Sequence, residues 1–143
     1  LNPTLTAKKI KFEFSGLPDG TLAYLDPDGI QEVVLNLIVN SLTSIEKEGT
    51  ISLTLERTPD NKLIIKVTDD GCGIPEEVIP HIFKPFFTTR KDGTGLGLSI
   101  SKKIIEAHEG LITVESQPGG GTTFAIILPG AMLVPQDRNE TIN

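Results

Sequence analysis

Asp26-Pro27-Asp28-Gly29-Ile30-Gln31-Glu32-Val33-Val34-Leu35-Asn36-Leu37-Ile38-Val39-Asn40-Ser41-Leu42-Thr43-Ser44-Ile45 is the stretch on which the fold turns. Asp-Pro-Asp is a helix-start signal, with an acidic cap followed by a residue whose φ is already helical. Ile30, Val33, Val34, Leu37, Ile38, Ser41 and Ile45 then recur at helical spacing, so the segment is an amphipathic helix with one apolar face, ended by Gly49. Such a face needs a second layer to cover it, and the flanking sequence supplies strands. Residues 8–14 (KKIKFEF) and 21–25 (TLAYL) are short strands around a Pro18-Asp19-Gly20 turn. Residues 51–56 (ISLTLE) and 62–68 (KLIIKVT) form an antiparallel hairpin across Pro59-Asp60-Asn61, and 111–116 (LITVES) pairs with 122–129 (TTFAIILP) across Gln117 to Gly121. A second helix spans 96–108 through Leu98, Ile100, Ile104, Ile105 and His108, with Gly110 as its stop. Strands with helices on one side give an α+β two-layer sandwich.

The chain has 143 residues, 38% of them hydrophobic and 22% charged, which fits one domain with one core. Its longest apolar runs, VVLNLIV and LIIKV, fall far short of the roughly 20 residues that span a bilayer. No signal peptide opens it. A single cysteine, Cys72, makes no internal disulfide and has no CxxC partner for zinc, so a reducing, cytoplasmic setting is expected. The net charge of −6 argues against nucleic-acid or anionic-membrane partners, which are held mainly by excess Lys and Arg. Any anionic ligand must be gripped locally.

Local grips are visible. Asn36 and Asn40 stand four apart on the first helix, one ridge beside the apolar face with Glu32 a turn earlier, and an amide oxygen there can complete the oxygen shell of a Mg²⁺. Asp69-Asp70-Gly71-Cys72-Gly73-Ile74-Pro75 follows directly on a strand, so Asp69 sits where the backbone turns, able to accept from the exocyclic amine of adenine, while the glycines let the chain approach a flat ring. Gly93-Thr94-Gly95-Leu96-Gly97-Leu98 runs into the second helix and points backbone N–H groups at an anion site. Between them lie Phe83, Phe86 and Phe87, which need a hydrophobic floor, and Arg90 and Lys91, placed to reach a polyphosphate. Thr122 supports the Asp69 end if its strand lies beside 62–68. Taken singly, each has a plainer alternative: solvated helix residues, an Asp-Gly turn, a glycine-rich helix entry, an exposed basic pair.

Taken in order, Asn36 to Ser41, Asp69-x-Gly71-x-Gly73-Ile74-Pro75, Ile82-Phe83-x-Pro85-Phe86-Phe87-Thr88-Thr89 and Gly93-Thr94-Gly95-Leu96-Gly97-Leu98-Ser99 resemble the N, G1, F and G2 boxes of histidine kinases, and Gly121-Thr122-Thr123-Phe124 extends the likeness. The resemblance covers residues 8–129 and implies a Bergerat sandwich, a mixed sheet backed by helices that enclose ATP under a mobile lid. Residues 1–7 are then a linker from an upstream dimerisation domain and 130–143 a flexible tail. By the same resemblance Asp69 contacts adenine with Gly71 and Ile74 beside it, Gly73 allows a water-bridged contact, Asn40 is the Mg²⁺ ligand, and Asn36 positions phosphate and water. Phe83 to Thr89, with Phe87 and Thr88 against the nucleotide, and Arg90 form the lid; Gly93, Thr94, Gly95, Leu96, Gly97 and Leu98 cradle the phosphates. The implied catalytic set is Asn36, Asn40 and Arg90.

The chain departs from that pattern at Ser41, where Ala is usual, at Thr43 and Ser44, where a basic or aromatic residue is common, and at His108-Glu109-Gly110 in place of His-Gly-Gly. Lys47 is expected as a substitute triphosphate contact, with a solvated lysine as the equal alternative. Neither His81 nor His108 lies in anything like the acceptor motif HExRxP, so the phosphorylated histidine is expected on a separate helical domain before Leu1, with a response regulator downstream and the full-length kinase free to be membrane-anchored. A hydrolase of the gyrase, mismatch-repair or heat-shock-chaperone branch would carry a water-activating Glu where this chain has Asn36; Glu32 is one turn too early. An anti-sigma type serine kinase would have a shorter lid without the Phe-Phe-Thr-Thr run, and a regulatory module that binds ATP without transferring it is the third alternative.

Overall fold

The computed structural model of the chain describes residues 8–16, 21–22, 25–88, 95–130 and 132–133. The first helix, α1 (Pro27–Ser44), begins where the sequence places it: Asp26 is the N-cap, its Oδ1 accepts from the Asp28 N–H at 3.2 Å, and Pro27 opens the first turn. Ile30, Val33, Leu37, Ser41 and Ile45 are buried along one face, with Val33 and Leu37 fully enclosed. The helix ends before Gly49. Ile45 is its C-cap, and Gly49 lies inside strand β3 (Glu48–Arg57), where a Cβ would come within 2.5 Å of Asp70 Oδ1. Close packing on the sheet, not helix termination, is what requires that glycine.

The main sheet runs β1-β3-β4-β6-β5, with β1 (Lys9–Ser15), β4 (Leu63–Asp69), β5 (Leu111–Ser116) and β6 (Thr122–Leu128). β1 and β3 are parallel and joined through α1, as a parallel pair needs a crossover; the remaining pairs are antiparallel, so the sheet is mixed. β4 and β6 each alternate buried with half-buried residues. Their inner faces, Leu63, Ile65, Val67 and Phe124, Ile126, Leu128, meet α1 and α2 (Gly97–Ala107) in one core. Each such side chain contributes about 1.5–3 kcal/mol on burial. The segment from Thr21 does not pair with β1: β2 (Thr21–Leu22) runs antiparallel to β7 (Met132–Leu133), a strand for which the sequence carries no signal. The Pro18-Asp19-Gly20 turn and residues 1–7 lie outside the described residues. After β4 the chain makes a turn at 76–78 followed by a 3₁₀ helix, Ile79–His81.

Two ties hold the helices side by side and antiparallel. The Asp26 N–H donates to His108 Nε2 at 2.9 Å while His108 Nδ1 contacts the Ile104 carbonyl at 2.9 Å, which fixes a neutral ring with its hydrogen on Nδ1. His108 is therefore structural, as expected. At the other end Asn36 reaches α2, described below.

α2 stops in a Schellman turn: the Gly110 N–H bonds the Ile105 carbonyl at 2.9 Å and the Glu109 N–H bonds that of Glu106 at 2.9 Å. Glu109, not Gly110, takes the left-handed conformation, at φ 60°. Gly110 is needed for space, because a Cβ there would stand 2.6 Å from the Ile127 carbonyl oxygen. Glu109→Gly should thus stabilise the chain by about 1 kcal/mol in urea unfolding, and Gly110→Ala should destabilise it by more than that. A loss of stability in Glu109→Gly would contradict the strain assigned to this turn.

Candidate functional site

Asp69 ends β4 with only 5% of its surface exposed. Its Oδ1 accepts from the Gly71 N–H at 2.8 Å and lies 3.2 Å from the Ser44 hydroxyl, while no hydrogen bond among the described residues falls on Oδ2. The neighbouring strand places Thr122 directly opposite Asp69, so the condition set for Thr122 is met. Ser116 Oγ donates to the Gly121 carbonyl at 2.9 Å and accepts from the Ile74 N–H at 2.7 Å, so Thr122 Oγ1, 2.8 Å away, must be the donor in their contact. This chain of hydroxyls fastens the loop after Asp69 to the β5–β6 end. An open cleft of about 580 Å³ at the end of the sheet is lined by Thr68 and Asp69 of β4, Val114 to Ser116 of β5, Thr122 and Thr123 of β6, with Ile79, Gln117, Gly120 and Gly121, and no residue of α1 or α2 lines it.

The glycines of the loop have a structural use that the sequence does not show. A Cβ on Gly71 would lie 2.5 Å from the Ser44 carbonyl oxygen, and one on Gly73, at φ 76°, would land on the Gln117 carbonyl. Both make room for the chain's own backbone. Cys72 is held between the same partners, its N–H bonded to Ser44 O at 3.0 Å and its carbonyl to the Gly119 N–H at 2.7 Å.

Asn36, Asn40 and Ser44 form the ridge of α1 that faces this chemistry. Asn36 Nδ2 donates to the Gly97 carbonyl at 3.2 Å and to Ser101 Oγ at 3.1 Å, tying the ridge to the first turn of α2. Ser44, about 12 Å further along the axis, reaches Asp69. Asn40 lies between them, half-buried, with no side-chain hydrogen bond among the described residues. At the start of α2 the N-cap residue Leu96 supplies no side-chain cap to the first turn, and an added Cβ on Gly97 would make only an ordinary contact, with Asn36 at 3.7 Å. Leu98 is half-buried against the core.

Two of the three phenylalanines find a floor: Phe83 packs edge-on to Phe124 at 6.4 Å with the Lys102 ammonium over its ring, and Phe87 packs on the core and lies 5.7 Å from His81. Phe86 does not; it is 75% exposed with φ 68°. Its N–H bonds the Gly95 carbonyl at 2.8 Å, and a Cβ on Gly95 would land on the Phe86 backbone, so the pair closes the base of the intervening loop. Thr88 is half-buried; Thr89, Arg90, Lys91, Gly93 and Thr94 lie outside the described residues. Lys47 is exposed, and its carbonyl accepts from the Lys9 N–H at the β1 edge. His81 Nδ1 accepts from Lys84 Nζ at 2.9 Å. Asp60, whose carboxyl is held below the usual range first by a hydrogen bond from Thr58, sits at the opposite end of β4. Among the described residues no cluster of His, Cys, Asp and Glu could hold a metal, and no helix is long and apolar enough to cross a membrane.

A family model described as histidine kinase-, DNA gyrase B-, and HSP90-like ATPase matches residues 25–132. The chain belongs to this ATPase family. Among curated proteins it is 41% identical over 123 residues to sensor histidine kinase ZraS of Salmonella typhimurium, covering 86% of this chain and 26% of that protein. It is 43% identical over 117 residues to the signal transduction histidine-protein kinase AtoS of Escherichia coli, covering 82% and 19%. The chain thus spans about a quarter or less of the relatives it matches. Among solved structures the catalytic domain of histidine kinase ThkA shares 38% identity at TM-score 0.75 over 85% of this chain and 79% of that one. Full-length ShkA in complex with AMPPNP shares 25% identity at TM-score 0.78, over 94% of this chain and 28% of that one. The α+β sandwich of histidine kinase catalytic domains is therefore the fold of this chain.

Ser44 and Ser116 are the site residues that sequence reading missed. Ser44 was detectable as the next position, i+4, on the Asn36–Asn40 ridge, and Ser116 as the position six before Thr122 in the expected hairpin. The packing separates the glycines into two classes that one pair of substitutions distinguishes. Gly97→Ala should leave the unliganded domain as stable as the parent or up to about 1 kcal/mol more stable, since it fills open space at a helix start. Gly73→Ala should destabilise it by at least about 2 kcal/mol. Thermal unfolding of the two variants checks this, and equal effects would contradict it.

Proposed function

We propose that this chain binds Mg·ATP between α1, α2 and the end of β4 and transfers the γ-phosphoryl to a histidine on a separate dimerisation and phosphoacceptor domain. The observation that carries the reading is Asp69: a buried carboxylate with one oxygen fixed by the protein and the other left to accept from a ligand amine. In this reading Oδ2 takes the exocyclic amine of adenine, beside Gly73, Ile74 and Thr122. Phosphates extend along α1 toward the first turn of α2, which has no side-chain cap and whose Gly97 and Leu98 N–H groups suit an anion. Arg90, with Thr88, Thr89, Gly93 and Thr94, contributes from the lid.

Asn40 fits a Mg²⁺ that keeps waters and takes its other ligands from phosphate oxygens, because its amide is uncommitted and carries no charge to repel them. A bound Mg²⁺ would neutralise charge on the transferring phosphoryl. What the protein then contributes is placement and charge stabilisation, so no side-chain base is required of it. Asn36 favours a kinase over a hydrolase: both hydrogens of its amide are engaged by Gly97 and Ser101, and an amide is a poor base toward water. The ATPase family, the kinases among its relatives and the AMPPNP bound to ShkA support the reading. It also implies a response regulator as the final recipient and a cytoplasmic location for this domain.

Asp69→Asn should weaken ATP and ADP binding about tenfold in calorimetry by losing a charge-assisted hydrogen bond, with the parent preferring ATP to GTP. Parent-like ATP binding by Asp69→Asn would remove the adenine assignment. With labelled ATP and a purified helical acceptor domain, the chain should phosphorylate a histidine, giving a bond labile in acid and stable in base, and Asn40→Asp should lower that transfer at least about tenfold by placing a negative charge beside the triphosphate. Brisk hydrolysis without acceptor would instead favour the hydrolase branch, and tight ATP binding without transfer the regulatory module.

A further inference from the structure

β1 is one end of the main sheet, so among the described residues no strand pairs with its outer edge. The Lys9 N–H bonds the Lys47 carbonyl on the β3 side. Successive residues of a strand point their N–H and C=O groups to opposite edges, so Lys9, Lys11, Glu13 and Ser15 face β3 while Ile10, Phe12 and Phe14 present theirs to the open edge. Side chains alternate in the same step. Phe12 stands beside the buried Ile51 and Phe14 beside Leu53, so both continue the core face of the sheet, yet they are 60% and 67% exposed. Lys11 and Glu13 lie on the other face, 3.4 Å apart. An edge of seven residues with two uncovered phenylalanines is a template for another strand.

We propose that the strand it takes is β1 of a second copy of this chain, paired antiparallel about a two-fold axis at Phe12. The sequence of β1 is self-complementary about that residue: Phe12 faces its own copy, Ile10 faces Phe14, and Lys11 faces Glu13 in both directions. Phe12 with its copy and Ile10 with Phe14 are then the hydrogen-bonded pairs, as their outward N–H and C=O groups require. The two Lys11–Glu13 pairs fall at the closer, non-hydrogen-bonded positions, where opposite charges stabilise. Charge selects this register. Centring the axis on Lys11 or on Glu13 would set that residue against its own copy, like charge to like. The same axis puts both helix layers on one side of a continuous sheet, so the four phenylalanines meet in the gap between them, a self-complementary contact of the kind homodimers use.

Analytical sedimentation of the chain over a concentration series tests this. The parent should dimerise reversibly at about 0.1 mM, since an edge of this length gives an interface at the small, transient end of the usual range. Lys11→Glu alone sets like charges opposite at both pairs and should weaken self-association at least about tenfold, as should Glu13→Lys alone. Mixing the two single variants should restore a dimer of parent strength, because each supplies the charge the other lacks, and Lys11→Glu combined with Glu13→Lys in one chain should dimerise as the parent does. Both positions are exposed, so the dilute variants should unfold at the parent's temperature. A parent still monomeric at about 1 mM would overturn the inference. So would a dimer indifferent to both single substitutions, or single variants that do not recover on mixing. Slowed exchange of the Phe12 and Phe14 amides in a monomeric parent only when the helical acceptor domain is added would make that domain the occupant, and the inference would fall.

Discussion

One carboxylate oxygen fastens three parts of this domain to each other. Oδ1 of Asp69 belongs to β4, receives the N–H of Gly71 in the following loop, and meets Ser44 at the end of α1. A carboxyl group so enclosed needs such partners to be tolerated. The contacts in turn set where the loop leaves the sheet: Gly71 must lack a side chain to pass Ser44, and Cys72 and Ile74 are then delivered to the backbone and hydroxyls of neighbouring elements. Structural duty falls on one oxygen, and the other carries no hydrogen bond among the described residues.

α1 connects that end of the site to the second. Asn36 holds the first turn of α2 and Ser44 holds Asp69, with Asn40 between them on the same ridge. The spacing of the two motifs is therefore set by helical rise rather than by loop lengths. The Asp26–His108 contact prevents the far ends of α1 and α2 from splaying. Against this fixed frame the segment between Phe86 and Gly95 is closed by one backbone hydrogen bond with left-handed conformations at both residues.

Much of the architecture was legible because period and composition act locally. The buried positions of α1 are those its spacing nominates, and β4 and β6 alternate as written. The parallel alignment of β1 with β3 and the pairing of β2 with β7 were not, since each depends on contacts between distant segments whose individual sequences are indifferent to the choice. Glycines were legible as special positions and misread in purpose. Gly49, Gly71 and Gly73 admit protein atoms, and only the three-dimensional neighbour can show that. The departure at Glu109 was visible as a missing glycine, but its left-handed backbone was not. For the candidate site, order along the chain nominates Asp69, Asn36, Asn40 and Gly97, whereas Ser44 and Ser116 act through hydroxyl contacts across elements that no linear motif records.

The division of labour between the two oxygens of Asp69 is the claim on which the functional account stands, and a crystal structure of the chain with bound ADP tests it most directly. The account predicts the exocyclic amine of adenine within about 3 Å of Oδ2 while Oδ1 keeps its contact with the Gly71 N–H. An adenine ring bound elsewhere, or one that reached Oδ1 by displacing the Gly71 N–H, would contradict it.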